Sequence, residues 1–253
     1  MTRFAEWCSE TETTVAGHKL RLLTSVPARQ AQAVKLVAAA VPGYYAFPER
    51  IAGLLARLGR TAAAKYVTEK LPTSLSIKSG DLGEILCTAY VGEATPFKLG
   101  IIRLRWKDHR NMSMRGDDVL AFNLGSKGKA LNVLKAEVKS RANLRTSVIK
   151  EARIALSEHR ELPSPHAVAF VADRLGETGD KPLRDALDDV QLKHGFKTSQ
   201  VTHMLFTFSG NDPSKLLSVN LESYAGTVSQ QYVGLQVSDH QGFIRSVFAA
   251  VGI

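Results

Sequence analysis

The chain changes its apolar period along its length, and the changes divide it into elements. "HKLRLLTSV" (18–26) alternates apolar and polar positions and predicts a strand. Residues 29–40, "RQAQAVKLVAAA", carry a helical stripe that Pro42-Gly43 is expected to end. Residues 48–70 predict one long helix or two short ones, with Pro48 suited to a first helical position and Gly59 marking a break. "LPTSLSIKSG" reads as a connector. From Asp81, "DLGEILCTAYVG" sets Leu82, Ile85, Leu86 and Ala89 on one helical stripe, with Ser79 or Asp81 as its cap. Three strands are expected next, at 99–106, 118–124 and 131–140, the last two joined by a short hairpin connection, "GSKGK". A helix at 143–160, a buried strand at 166–173 ("HAVAFVAD"), an amphipathic helix at 181–194 and an apolar strand at 201–210 follow. A strand at 232–237 and a short helix at 241–250 close the chain. This order predicts an α/β fold with a mixed central sheet flanked by helices. Two parts are expected: a mainly helical docking or regulatory region at 1–75, and a domain at 76–253.

With 253 residues and 44% hydrophobic content, the chain has ample material for a core. Its net charge is +9, which favours a polyanionic partner. The charge is concentrated. Residues 103–160 carry 14 Lys/Arg against 6 Asp/Glu, whereas residues 204–253 carry 2 against 3. The two cysteines, Cys8 and Cys87, form no C-x-x-C or Cys/His cluster, so neither a zinc site nor a disulfide framework is expected. "MTRFAEWCSE" lacks the apolar segment of a secretory signal. No apolar run reaches the roughly 18–20 residues needed to span a bilayer. A cytoplasmic protein is expected.

Several polar residues fit poorly in their elements. In "LKAEVKSR" (134–141), Leu134, Ala136 and Val138 share one strand face, while Val133, Lys135, Glu137 and Lys139 share the other. Glu137 and Lys139 therefore point to one side, roughly 6.5–7 Å apart along the strand. They are either a half-solvated face or part of a site. Asp117 and Asp118 open the preceding strand, either as turn residues or as carboxylates that the hairpin brings near Glu137. Two close carboxylates repel unless a cation sits between them, and such hard oxygen ligands suit Mg²⁺ or Mn²⁺. Glu84, in "SGDLGEIL", lies beside its helix's apolar stripe, as a solvated residue or a further ligand. His109 reads as structural or solvated. Trp106 and Phe122 read as core rather than base-stacking residues. "GSKGK" lacks the phosphate-loop pattern, so no nucleotide site is read there.

The order of helix glutamate, hairpin, strand-opening aspartate, Glu-x-Lys and basic helix resembles the PD-(D/E)xK nuclease superfamily, the restriction-endonuclease fold, over about residues 75–210. The resemblance implies the aspartate role for Asp118, with Asp117 as rival, the acid role for Glu137, the lysine role for Lys139 and the helix-glutamate role for Glu84. Gly116-Asp117 stands where many members have Pro-Asp. A narrower resemblance, carried by "SGDLGEIL", "LRWKDHRNMSMRGDDVLAF" and "AEVKSR", is to the HamA family, the nuclease subunits of Hachiman-type antiphage defence. It implies a partner helicase subunit (HamB-like) that restrains the nuclease. Together the resemblances imply Mg²⁺-dependent (or Mn²⁺-dependent) hydrolysis of DNA. Asp118, Glu137 and Glu84 would be the metal ligands, with the Val138 carbonyl as a further one, and Lys139 would orient water. Arg115, Arg141, Arg145 and Lys150 flank the motif and are candidate DNA contacts. An RNA nuclease and a non-catalytic nucleic-acid-binding regulatory subunit remain the alternatives.

Overall fold

A computed structural model describes residues 2–125 and 131–252. β1 (Cys8–Val15) and β2 (His18–Ser25) open the chain as an antiparallel pair. Three helices follow, α1 (Gln30–Tyr45), α2 (Pro48–Lys70) and α3 (Leu75–Ala94). Then come the two-residue β3 (Lys98–Leu99), β4 (Val119–Leu124) and β5 (Leu131–Arg141). Three more helices, α4 (Thr146–Ser157), α5 (Pro165–Thr178) and α6 (Lys181–Asp189), separate β5 from β6 (Val201–Ser209). α7 (Ser214–Glu222), β7 (Ser229–Gln236) and α8 (His240–Ala249) complete the order.

The strands form one mixed sheet, β1-β2-β7-β6-β5-β4-β3. Its centre, β2-β7-β6-β5, is parallel and its two edges are antiparallel. On one face, α1, α3 and α8 cover Leu134, Ala136, Phe206 and Phe208. On the other, α4 and α7 cover Leu205 and Tyr232, and α5 and α6 cover Leu120, Phe122 and Val133. The expected mixed sheet flanked by helices is therefore present. Both faces are buried, as a parallel centre requires.

Several elements differ from their expected form. The run at 166–173 is not a strand but part of α5. Val168, Val171, Ala172 and Leu175 are its buried residues, and their spacing of three and four is helical. The expected strand at 99–106 is reduced to Leu99, and Arg103–Trp106 form a 3₁₀ turn. Gly100 explains the departure: a Cβ there would meet Val171 Cγ1 at 2.7 Å, so the chain bends tightly over α5. α1 runs through Pro42, because Val37, Val41 and Tyr45 continue one buried face. α3 begins at Leu75, so most of the expected connector is helix; neither Ser79 nor Asp81 caps it, and Asp81 is buried within it. Gly59 (φ 80°) breaks α2 into two arms, as expected. β1 had no counterpart in the sequence reading. Its polar, mostly exposed residues carry no apolar alternation. The "GSKGK" connection falls largely outside the described residues, although β4 and β5 pair antiparallel as a hairpin would. Residues 1–75 contribute β1, β2, α1 and α2, and β2 joins the sheet beside β7.

Lys135 is a buried lysine in the middle of β5. Its Nζ donates to the carbonyls of Ala155, Leu156, Glu158 and Leu162 at 3.1–3.4 Å and lies 3.5 Å from Asp117 Oδ1. It thereby closes the C-terminus of α4, where His159, Arg160 and Glu161 all adopt positive φ. Three successive non-glycine residues in that region are costly and need such fixing. Lys135→Met should cost about 3 kcal/mol in urea unfolding, because Asp117 and the carbonyls lose their buried partner.

Candidate active site

The pairing of β4 with β5 assembles the acids. Val119 pairs with Ala136, so Asp118, one residue earlier, falls beside Glu137. Asp118 Oδ2 accepts the backbone N–H of Val138 at 2.9 Å, which fixes the carboxylate against β5. Glu137 and Lys139 share a face, as the alternation predicts, and Lys139 Nζ donates to Glu137 Oε1 at 2.6 Å. Glu84 comes from α3 on the other side of the site. Gly83 lets that helix come close, since a Cβ there would meet Val138 Cγ1 at 3.1 Å and Ser140 Cβ at 3.2 Å.

The two strand-opening aspartates take separate roles. Asp117 Oδ2 accepts the Ser164 N–H at 2.8 Å, and its other oxygen faces Lys135. It ties β4 to the start of α5. Of the two, it is the Asp118 carboxylate that accepts the Val138 N–H and lies within ion-pair distance of Arg103.

Arg103 was not singled out from the sequence, where it sat inside an expected strand. Its guanidinium forks onto Glu84, with Nε to Oε1 at 3.3 Å and Nη2 to Oε2 at 3.2 Å. The same Nη2 lies 3.6 Å from Asp118 Oδ1. Nη1 donates to the carbonyls of Arg115, Gly116 and Asp117. Two arginines alternating with apolar residues in "IIRLRW" were the available signal. Arg105, the second, donates instead to the Gly43 carbonyl of α1 at 2.8 Å.

Burial dominates the electrostatics. It pushes the Glu137 carboxyl up to about 7, and the nearby Asp118 charge adds to the rise while Lys139 opposes it. Burial likewise raises Glu84 to about 7 against the opposing charge of Arg103. Asp118 is raised mainly by burial, opposed by Arg103 and by the Val138 N–H. Such carboxylates gain from a cation. Among the described residues, no three His, Cys, Asp or Glu side chains gather around one point. Asp118 and Glu137 are thus a two-carboxylate set, and Glu84 is turned to Arg103. This donor set fits Mg²⁺, which keeps several waters, and does not fit an all-protein cage.

The candidate phosphate contacts lie on exposed positions. Arg115 precedes the acids, Arg141 ends β5, and Arg145 and Lys150 lie at the N-cap and on the second turn of α4. Among the described residues, none of the four is held in an ion pair. Arg141 donates only to the neighbouring Ser140 carbonyl at 2.8 Å. His109 accepts the Asn111 N–H and is exposed, lining a different cavity from that of Glu84 and Asp118. Phe122 is core, as expected. Trp106 is only half-buried, between the Arg174 guanidinium 4.5 Å from its ring centre and the edge of Phe47.

The fold and the acids define an α/β protein with a restriction-endonuclease-like sheet and a carboxylate–lysine cluster on its β4–β5 hairpin. The sequence profile of the HamA family matches residues 2–251, so the chain belongs to that family. It is similar to the Hachiman protein HamA of Bacillus cereus, 27% identical over 177 residues. That alignment covers 70% of this chain and 62% of the relative, so it spans less than two thirds of the relative's length. No helix among the described residues is long and apolar enough to cross a membrane.

The raised carboxyls predict a pH dependence. The unfolded chain ionises Glu84 and Glu137 near 4.5, whereas the folded chain holds their protons up to about 7. The folded state binds more protons in that window, so stability in EDTA should fall as pH rises through it, by on the order of 2 kcal/mol per group, and level off above. Glu137→Gln should shrink the difference in melting temperature between pH 5 and pH 8.

Proposed function

We propose that this chain is the metal-dependent DNA nuclease subunit of a bacterial antiphage defence system, hydrolysing phosphodiester bonds under the control of a helicase partner. The observation that carries the reading is the juxtaposition of Asp118, Glu137 and Lys139 across β4 and β5, with Asp118 locked on the Val138 N–H. The match to the HamA family supports the defence role and the partner. Asp118 and Glu137 would hold Mg²⁺ or Mn²⁺, which would supply positive charge at the scissile phosphate and make a nearby water more acidic.

The residues do the rest. Asp118 and Glu137 are fixed by the strand register before substrate arrives, so little reorganisation accompanies binding. Lys139 shares the face of Glu137. It orients the attacking water, and its ammonium offsets the charge that builds on the phosphorus oxygens. Glu84, both of whose oxygens accept from Arg103, stands at the outer part of the site and would reach a metal only through water. Arg115, Arg141, Arg145 and Lys150 bind the backbone phosphates, which carry most of the affinity and no sequence information. Residues 1–75 serve partner docking. Within them, α2 leaves Leu55 and Leu58 exposed, available to a second protein surface.

Plasmid DNA incubated with the purified chain and Mg²⁺ or Mn²⁺, alone and with its helicase, should be nicked or linearised. EDTA and Glu137→Ala should each reduce cleavage by at least about a hundredfold, the scale set by loss of a metal-ion or oxyanion-type interaction. Equal cleavage by Glu137→Ala would sink the assignment. Cleavage of RNA in preference to DNA would retain the site and change the substrate. In a separate measurement, Arg145→Ala/Lys150→Ala should lower the slope of log affinity against log salt by about 2.

A further inference from the structure

Arg103 has too many partners to be an ordinary surface arginine. Its side chain is 13% exposed, and it forks onto Glu84, faces Asp118 and gathers three consecutive carbonyls at 115–117. The loop it gathers ends at Asp118. One fixed positive charge therefore sits between a helix carboxylate and the strand carboxylate that the preceding reading gives to the metal.

A cation bound by Asp118 would stand near this guanidinium, and like charges at such distances in a half-buried site repel strongly. We propose that Arg103 is a built-in counter-cation that the divalent ion must displace from Asp118, so that metal entry and the position of the 115–117 loop are coupled. The inference rests on the metal-nuclease reading. Glu84 is what makes the exchange workable. Its bidentate pair with Arg103 keeps the guanidinium on α3 after the contact to Asp118 is lost. Glu84 thereby acts as the anchor of Arg103. Without metal, Arg103 neutralises acids whose burial is otherwise unfavourable. With metal, the Nη2 edge is freed from Asp118 and can donate to a phosphate oxygen.

Mn²⁺ binding, followed by the loss of the free-ion electron paramagnetic resonance signal, tests this on the full chain at pH 8. Wild type, R103Q, R103K and E137A would be titrated, and each melted in EDTA and in saturating Mn²⁺. R103Q is expected to bind Mn²⁺ about tenfold more tightly than wild type, the sign and scale of removing a nearby like charge. It should melt lower than wild type in EDTA, and the gap should close in Mn²⁺. R103K keeps the charge but not the fork, so its affinity should lie between the two. That variant decides the matter should R103Q fail to fold. Mn²⁺ affinity of R103Q or R103K no higher than wild type, with E137A losing the ion, would overturn the role of Arg103 and leave the metal site standing. A purely structural arginine would lower melting equally with and without Mn²⁺, which also overturns it. Mn²⁺ bound equally by E137A and wild type would overturn the metal site itself.

Discussion

Val119 pairs with Ala136, and much of the site depends on that register. It sets Asp118 beside Glu137 and aims the Val138 N–H at the Asp118 carboxylate. A slip of one residue would turn Glu137 and Lys139 into the apolar layer under α3 and send Val138 towards the site. The register is held by apolar residues on both faces. Leu134 and Ala136 pack under α1 and α3, and Val133 packs with Leu120 and Phe122 under α5. The site's geometry is thus secured by core packing.

The acids are costly to bury, and the fold offsets that cost with fixed cations. Lys139 answers Glu137, Arg103 answers Glu84 and Asp118, and Lys135 answers Asp117. Two of these cations also have a second structural task. Arg103 gathers the carbonyls of the 115–117 loop, and Lys135 closes α4 over the left-handed turn at 159–161. Behind that turn, His203 accepts from Arg153 and pairs with the Glu161 carbonyl, while the Tyr224 hydroxyl donates to Glu161. Burial drives the His203 imidazole down to about 3, so it stays neutral and fills its place in this network as a donor and an acceptor. A charged layer thus runs from the candidate site into the sheet's second face.

α3 couples the site to the opposite layer. Gly83 brings it against Val138 and Ser140, and Ser79 and His240 hydrogen-bond Ser140 from α3 and α8. Asp81, two residues from Gly83, is buried with Tyr45 of α1 and with Lys107, just after the Arg103 turn. The first seventy-five residues are therefore linked by α1 to the segment that positions Arg103.

The sequence alone determined the mixed α/β sheet, the separation of Glu137 and Lys139 from the apolar face, and the concentration of basic residues around them. These rest on period-two and period-3.6 patterns and on local charge, which are properties of neighbouring residues. It did not separate a strand from a helix at 166–173, because a short apolar run satisfies both periods until its extent to Thr178 is known. It did not distinguish Asp117 from Asp118, since both precede the same strand and only Ser164 and Lys135, far along the chain, claim the first. It passed over Arg103 for the same reason. An arginine in an apolar run acquires its meaning from Glu84 and Asp118, 19 and 15 residues away, and only tertiary folding brings the three charges within ion-pair distance.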